Sequence, residues 1–208
     1  MSRTLIFVHV AKTGGLSLRN AIKTPSTLVV PHTAKLSEWG ERASKADIVV
    51  GHIPYGLHNH LVDGREYDYM TILRHPVERV LSKYYYTTNL AVRGSCVGDF
   101  MTGQFSNVLS NLMVKHLCGF GLLYTGRVTG ADYRTAMENL ATFKYIGFTR
   151  ELGKLFKKIK TDYNLSGELG HTNKTRNNRV ETTSEADINC ILQYNQWDLK
   201  LYNEARTL

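Results

Sequence analysis

The chain has 208 residues, 42% of them hydrophobic and 10% aromatic, which suits one domain with a single core and argues against a disordered segment. Lys and Arg outnumber Asp and Glu by 26 to 18, a formal charge of +8; such a field draws anions of any kind and cannot separate a nucleotide from a nucleic acid or a polyanionic glycan. The longest apolar run near the start covers residues 5–8, too short to cross a bilayer, and no signal-peptide pattern is present. The expectation is a soluble, cytoplasmic protein with no membrane segment, although a catalytic fragment of a membrane-anchored parent would read the same. Cys96, Cys118 and Cys190 are odd in number, widely spaced and form no CxxC, which predicts reduced thiols, buried or half-buried.

Taken in chain order, residues 4–10 read as a buried strand, 11–15 as a small-residue turn and 16–23 as a short helix. Residues 26–31 form a second strand, 36–45 a helix, 47–51 a third strand and 67–74 a fourth. Pro76 suits the first turn of a helix, and Val77, Val80, Leu81 and Tyr84 give that helix one apolar face. The second half is more helical. An apolar-periodic run at 108–117 follows a glycine-containing loop; residues 133–143 read as a helix, 145–148 as a short strand and 161–179 as a polar loop. Lys154 to Lys160 is the densest basic stretch, read as the solvated face of a helix. Ser184 is placed to cap the final helix, with Asp187 three residues on. Strand–helix alternation predicts an α/β fold: a single domain over residues 1–208 with a central parallel sheet flanked by helices.

The stretch with the most chemical content is Phe7-Val8-His9-Val10-Ala11-Lys12-Thr13-Gly14-Gly15-Leu16-Ser17-Leu18. A strand runs through a Gly-Gly turn into a helix start, where backbone N–H groups and the helix dipole favour an anion. Lys12, Thr13 and Ser17 add a charge and two hydroxyls. A Walker A loop would read G-x-x-x-x-G-K-S/T, with lysine after the glycines, whereas Lys12 precedes Gly14 and Gly15. The Asp expected at a Walker B strand end is also missing: Asp47 opens its strand, and the strand at 67–74 ends in Arg74.

Ala11 to Leu18 resembles the 5′-phosphosulfate loop of sulfotransferases that use 3′-phosphoadenosine 5′-phosphosulfate (PAPS), with Ala11 where the family has proline. Thr71-Ile72-Leu73-Arg74-His75-Pro76-Val77-Glu78-Arg79-Val80-Leu81-Ser82 is similar to the family's 3′-phosphate motif, with His75 where Asp is usual. Gly51-His52-Ile53-Pro54-Tyr55-Gly56-Leu57 and Trp197-Asp198-Leu199-Lys200-Leu201-Tyr202 resemble two further segments of the carbohydrate branch, the heparan and chondroitin sulfotransferases. The resemblance implies a P-loop-like sulfotransferase fold, PAPS as sulfuryl donor, no metal, and a hydroxyl-bearing acceptor, a glycan or small molecule rather than nucleic acid.

By that resemblance Lys12 contacts the phosphosulfate and neutralises charge as the bond to sulfur breaks, while Thr13, Gly14, Gly15, Leu16 and Ser17 surround the 5′-phosphate, mostly through backbone N–H groups. Arg74 and Ser82, eight residues apart, hold the 3′-phosphate. His52 is the matching general base, with His58 and His60 as rivals. Lys174 and Thr175 lie in a segment that resembles one folding over the cofactor. Asn111 falls where the family has an adenine-side N-x-Q, but Met113 occupies the Gln position. Arg79 suits either phosphate or an internal ion pair, and His75 reads as a surface histidine. The sequons at Asn164 and Asn173 read as chance matches. Two other readings stay open: a P-loop-like nucleotide kinase, which would need Mg²⁺, and a non-catalytic basic module that binds polyanions.

Overall fold

The structure is a computed structural model that describes residues 3–33, 35–62, 64–88, 96–103, 106–170 and 180–208. Strand β1 (Arg3–Val8) carries the sequence RTLIFV, and its alternation sends Leu5 and Phe7 to one face and Ile6 and Val8 to the other. Both faces are apolar, as a central parallel strand requires. Helix α1 (Gly15–Ile22) follows, then β2 (Thr27–Val30), α2 (Gly40–Ser44), β3 (Ile48–Gly51) and β4 (Glu66–Leu73). Helix α3 (Pro76–Thr88) leads to α4 (Val97–Thr102), α5 (Ser106–Leu109), α6 (Leu112–Leu117) and α7 (Gly130–Leu140). The chain ends with β5 (Tyr145–Phe148), α8 (Leu152–Asp162), α9 (Glu185–Tyr194) and α10 (Gln196–Ala205).

The five strands form one parallel sheet in the order β2-β3-β1-β4-β5. β1 pairs with β3 from Leu5↔Ile48 to Val8↔Gly51 and with β4 from Arg3↔Glu66 to Val8↔Thr71. β1 connects toward β2 on one side and β4 toward β5 on the other. Their carboxyl ends therefore flank a topological switch point, where ligands of open α/β sheets bind. One face of the sheet packs on α6, α7 and α10, through Leu112, Val114, Leu117, Ala136, Leu140 and Leu201. The other face packs on α1 and α8, through Leu18, Ile22, Leu155, Phe156 and Ile159. Lys154, Lys157 and Lys158 point outward from α8. No helix among the described residues is long and apolar enough to cross a membrane.

Several elements break where an apolar pattern continues. The run at 108–117 divides at Asn111, whose φ of 47° is left-handed and ends one helix before the next begins. The final helix divides at Asn195 into α9 and α10. The helix expected at 36–45 is a 3₁₀ turn, Leu36–Glu38, followed by α2. Asn164, at φ 49°, follows the end of α8 as a left-handed stop. Ser184 does cap α9, accepting from the Asp187 N–H at 3.1 Å, but one oxygen of Asp187 turns to the Gly98 N–H at 2.9 Å and so ties α9 to α4.

The two breaks at Asn111 and Asn195 serve one buried polar cluster. Asn111 Oδ1 accepts from the Trp197 and Asp198 amides, and the Asn111 amide donates to Asn195 Oδ1 at 3.0 Å. Asp198, fully buried, accepts from the Met113 and Val114 amides at 3.2 and 3.0 Å, so α6 and α10 cap each other reciprocally. Arg79 of α3, also fully buried, lies 3.7 Å from Asp198 and donates to the Leu109 carbonyl at 2.6 Å and to Asn195 at 3.0 Å. Asn111 is thus occupied inside the core, not free at an adenine, and Arg79 takes the internal ion pair rather than a phosphate. Burial pushes the Asp198 carboxyl up while Arg79 and the two amides pull it back. Asp198→Ala leaves a buried guanidinium and two amides uncompensated. It should cost about 3–5 kcal/mol, read as a shift of the urea unfolding midpoint at unchanged slope.

Candidate functional site

The turn after β1 is held from three sides. The Thr13 hydroxyl donates inward to the Val10 carbonyl at 2.9 Å, and Thr13 is fully buried. Its side chain therefore closes the loop, so the expectation that the Thr13 hydroxyl serves an anion is corrected. The Thr149 hydroxyl, just past β5, lies 2.7 Å from the Thr13 carbonyl and 3.2 Å from the Leu73 carbonyl and donates to both. Arg74 Nη1 donates to the Lys12 carbonyl at 3.1 Å. The loop is thereby tied to β4 and β5.

Lys12 has φ 70° and Gly14 φ 89°. The second is free of cost for glycine; the first is a left-handed lysine, which costs about 1–2 kcal/mol. Helix α1 begins at Gly15 with Gly14 as its N-cap; no side chain caps it, and its first turn holds no acid. A helix N-terminus of this kind, with its dipole, suits an anion. Leu16 is exposed and Ser17 half-buried in that first turn.

Lys12 reaches α3, where its Nζ lies 4.2 Å from the centroid of the Tyr86 ring; Lys83 Nζ lies 5.8 Å from the same ring. Arg74 projects from the end of β4. Its Nε is 3.3 Å from Glu78, which Arg150 also engages, with Nε at 3.1 Å. Glu78 is held below the usual carboxylate range by Arg150 and Arg74, against the opposing effect of burial. Two guanidiniums against one carboxylate leave this corner net positive. Ser82 is half-buried on the same helix. Arg74 is thus bonded to the main chain of the Lys12 loop, and the Lys12 side chain reaches Tyr86 on α3, the helix that also carries Ser82. Lys174 and Thr175 lie outside the described residues. His75 is not a free surface residue: it is half-buried, edge-on to Tyr202 at 5.6 Å, and its carbonyl accepts the Arg79 amide at 3.0 Å as the start of α3.

On the other flank of β1, His52 follows β3. Its Nδ1 lies 2.7 Å from the His9 carbonyl, which can only accept, so Nδ1 carries the proton and Nε2 keeps a lone pair. Burial, with His32, Arg19 and Lys83 nearby, lowers its pKa below 6.5, against the raising effect of the bond to His9. At neutral pH the ring is unprotonated, the form a base needs. His58 is engaged elsewhere, with Nδ1 3.0 Å from the Tyr69 hydroxyl, and His60 lies two residues further along the same 3₁₀ turn, Leu57–His60. Among the described residues, no group of three or more His, Cys, Asp or Glu could hold a metal ion.

Four participants carried weak signals or none. Tyr86 sits in a run of three tyrosines on an amphipathic helix and reads as packing. Thr149 lies 136 residues from Thr13, and nothing local connects them. His9 and His116 are buried beside His52; a histidine at a strand end, one residue from a loop motif, was the available clue. Of the cysteines, Cys118 and Cys190 are half-buried as expected, whereas Cys96 is exposed and its Sγ caps α4.

The buried imidazoles make a prediction about acid. His9 is held well below 6.5 by burial and by His52, and His116 is pushed down to about 3, mainly by burial. Once unfolded these rings titrate near 6.5, so below that pH the unfolded chain binds more protons than the folded one. Stability is full above about pH 6.5 and declines as pH falls. For His116 the loss runs at up to about 1.4 kcal/mol per pH unit toward its folded value. Calorimetry should show Tm falling between about pH 6.5 and pH 5, before carboxylates protonate, with a shallower slope in His116→Leu; an unchanged slope in that variant would contradict the assignment.

No protein-family model matches this chain, and no curated protein matches it.

Proposed function

We propose that the protein is a sulfotransferase that moves a sulfuryl group from PAPS to an acceptor hydroxyl. The observation that carries this reading is the convergence of the Lys12 loop and Arg74 on adjacent strands, β1 and β4. Arg74 donates to the Lys12 carbonyl, and Ser82 lies on the helix that follows. A ligand with one phosphate at a helix N-terminus and a second phosphate beside a strand-end arginine matches that arrangement. A five-strand parallel sheet with the loop after its central strand is compatible with the P-loop-like sulfotransferase fold.

PAPS, when bound, supplies the sulfuryl group. Lys12 and the α1 N–H groups hold the 5′-phosphosulfate and offset the charge that develops there as the bond to sulfur breaks. Arg74 and Ser82 hold the 3′-phosphate. His52 Nε2 takes the proton of the acceptor hydroxyl as the new oxygen–sulfur bond forms; the imidazolium later loses it to solvent. Arg19 and Lys83 add positive potential on the His52 side, which also lowers that ring's affinity for the proton. A Mg²⁺-dependent kinase has less support: Asp47 lies at the start of β3, remote from the carboxyl edge, and faces Arg65 at 3.9 Å.

Adenosine 3′,5′-bisphosphate at about 100 times its dissociation constant should stabilise the chain by about 3 kcal/mol, and AMP by far less. Thermal shift assays check this, and equal shifts from the two nucleotides would remove the 3′-phosphate assignment. With labelled PAPS and a panel of hydroxyl acceptors read by mass spectrometry, Lys12→Ala should slow turnover by about 100-fold or more while weakening nucleotide binding less. Transfer should persist in EDTA, as a kinase would not.

A further inference from the structure

We propose that His9 is a positioning residue: its imidazole is the wedge that sets the spacing between the α1 anion site and the His52 base, while its carbonyl sets the His52 tautomer. The proposal rests on the reading of His52 as base.

His9 directly follows β1 and is joined to β3 twice. Its N–H donates to the Gly51 carbonyl at 3.0 Å, and its own carbonyl accepts the His52 Nδ1 proton at 2.7 Å. The ring lies between three surfaces. The His52 ring is 4.4 Å away centroid to centroid, and Phe7 is 5.2 Å away on another side. The Cδ2–Nε2 edge meets Gly15, the first residue of α1. A Cβ added at Gly15 would lie 2.1 Å from Cδ2 and 2.2 Å from Nε2, so that glycine is required for the contact. One flat side chain therefore touches both halves of the site at once.

Its chemistry suits a spacer and not an anion ligand. His9 is only 8% exposed, and burial, His52, His116 and Arg19 all oppose its protonation. An uncharged ring here adds no cation to the anion site. It also excludes water from one side of His52, which keeps that base dehydrated and its Nε2 lone pair directed. The other groups facing His52 are His116 from α6, His32 past β2, Arg19 of α1 and Lys83 of α3.

The test uses two variants of the full chain and a readout that needs no turnover. His9→Ala removes the wedge but keeps the carbonyl; His9→Phe keeps a flat ring. In ¹⁵N-histidine NMR without ligand, wild-type His52 should show the Nδ1–H tautomer and titrate below 6.5. In His9→Ala its pKa should rise toward 6.5 by about half a unit or more, and in His9→Phe it should stay near wild type. In PAPS-dependent transfer, His9→Ala should lower kcat roughly 10–100-fold with little change in cofactor KM, and His9→Phe should recover most of the loss. If His9→Ala folds poorly, Gly15→Ala displaces the same ring from the other side and should move the His52 titration in the same direction. An unmoved His52 titration in the ring-displacing variants overturns the proposal. So does a Phe variant as impaired as Ala, which would mean that an imidazole nitrogen is needed, and so does a loss confined to cofactor KM, which would make His9 a ligand. Wild-type protein that never transfers sulfuryl while the NMR shifts appear as stated would instead overturn the sulfotransferase reading and leave the wedge standing.

Discussion

The Asp198 carboxylate, buried among helices, is the constraint on which the site depends. It holds Arg79 of α3, caps the first amides of α6 and belongs to the first turn of α10. Burying these charges is expensive, and two of the Arg79 nitrogens have no hydrogen-bond partner among the described residues. Removing one member would expose the full desolvation cost of the rest, so the cluster tolerates one arrangement of its helices. That arrangement determines where α3 starts, and α3 begins directly after Arg74 and carries Ser82 and Tyr86. A core ion pair thus sets the geometry of the surface proposed to bind the anion.

The site itself separates two kinds of electrostatics by depth. Its cations, Lys12, Arg74, Arg19 and Lys83, are half-buried and face the open side with the α1 terminus. Beneath them lie His9, His52 and His116, each held neutral by burial. Charging any one of these rings would add a desolvation penalty to repulsion from its neighbours. In the proposed reaction, that arrangement would attract an anion without protonating the group proposed as base. Glu78, between Arg74 and Arg150, orients the first guanidinium while leaving the corner net positive.

Local pattern carried much of this. The strands at β1, β3 and β4 were legible because both faces of a central parallel strand are apolar and the runs end in Gly, Pro or a loop. The Lys12 turn was legible because glycines before a helix start have a direct physical consequence. Helix breaks were not. Leu109 and Leu112 continue an apolar rhythm across Asn111, and Ile191 to Leu201 continues one across Asn195. Only the need to cap α6 and α10 against each other explains why the chain turns there. The same holds for Asn111 and Arg79, whose types suit a nucleotide site but whose side chains are turned into the core and hydrogen-bond there.

By itself the sequence determined which residues could carry chemistry: a lysine and glycines at a strand-to-helix turn, an arginine at a strand end, a histidine past another strand. These are properties of residue type and short-range spacing, and they survive without knowledge of the fold. Tertiary structure alone decided which of them share a space and in what protonation state. His9 and His52 are 43 residues apart in the chain and meet only because β1 and β3 are neighbours in the sheet. Thr149 reaches Thr13 because β5 and β1 both run to the same edge, and the neutrality of the imidazoles comes from burial, which no local pattern encodes.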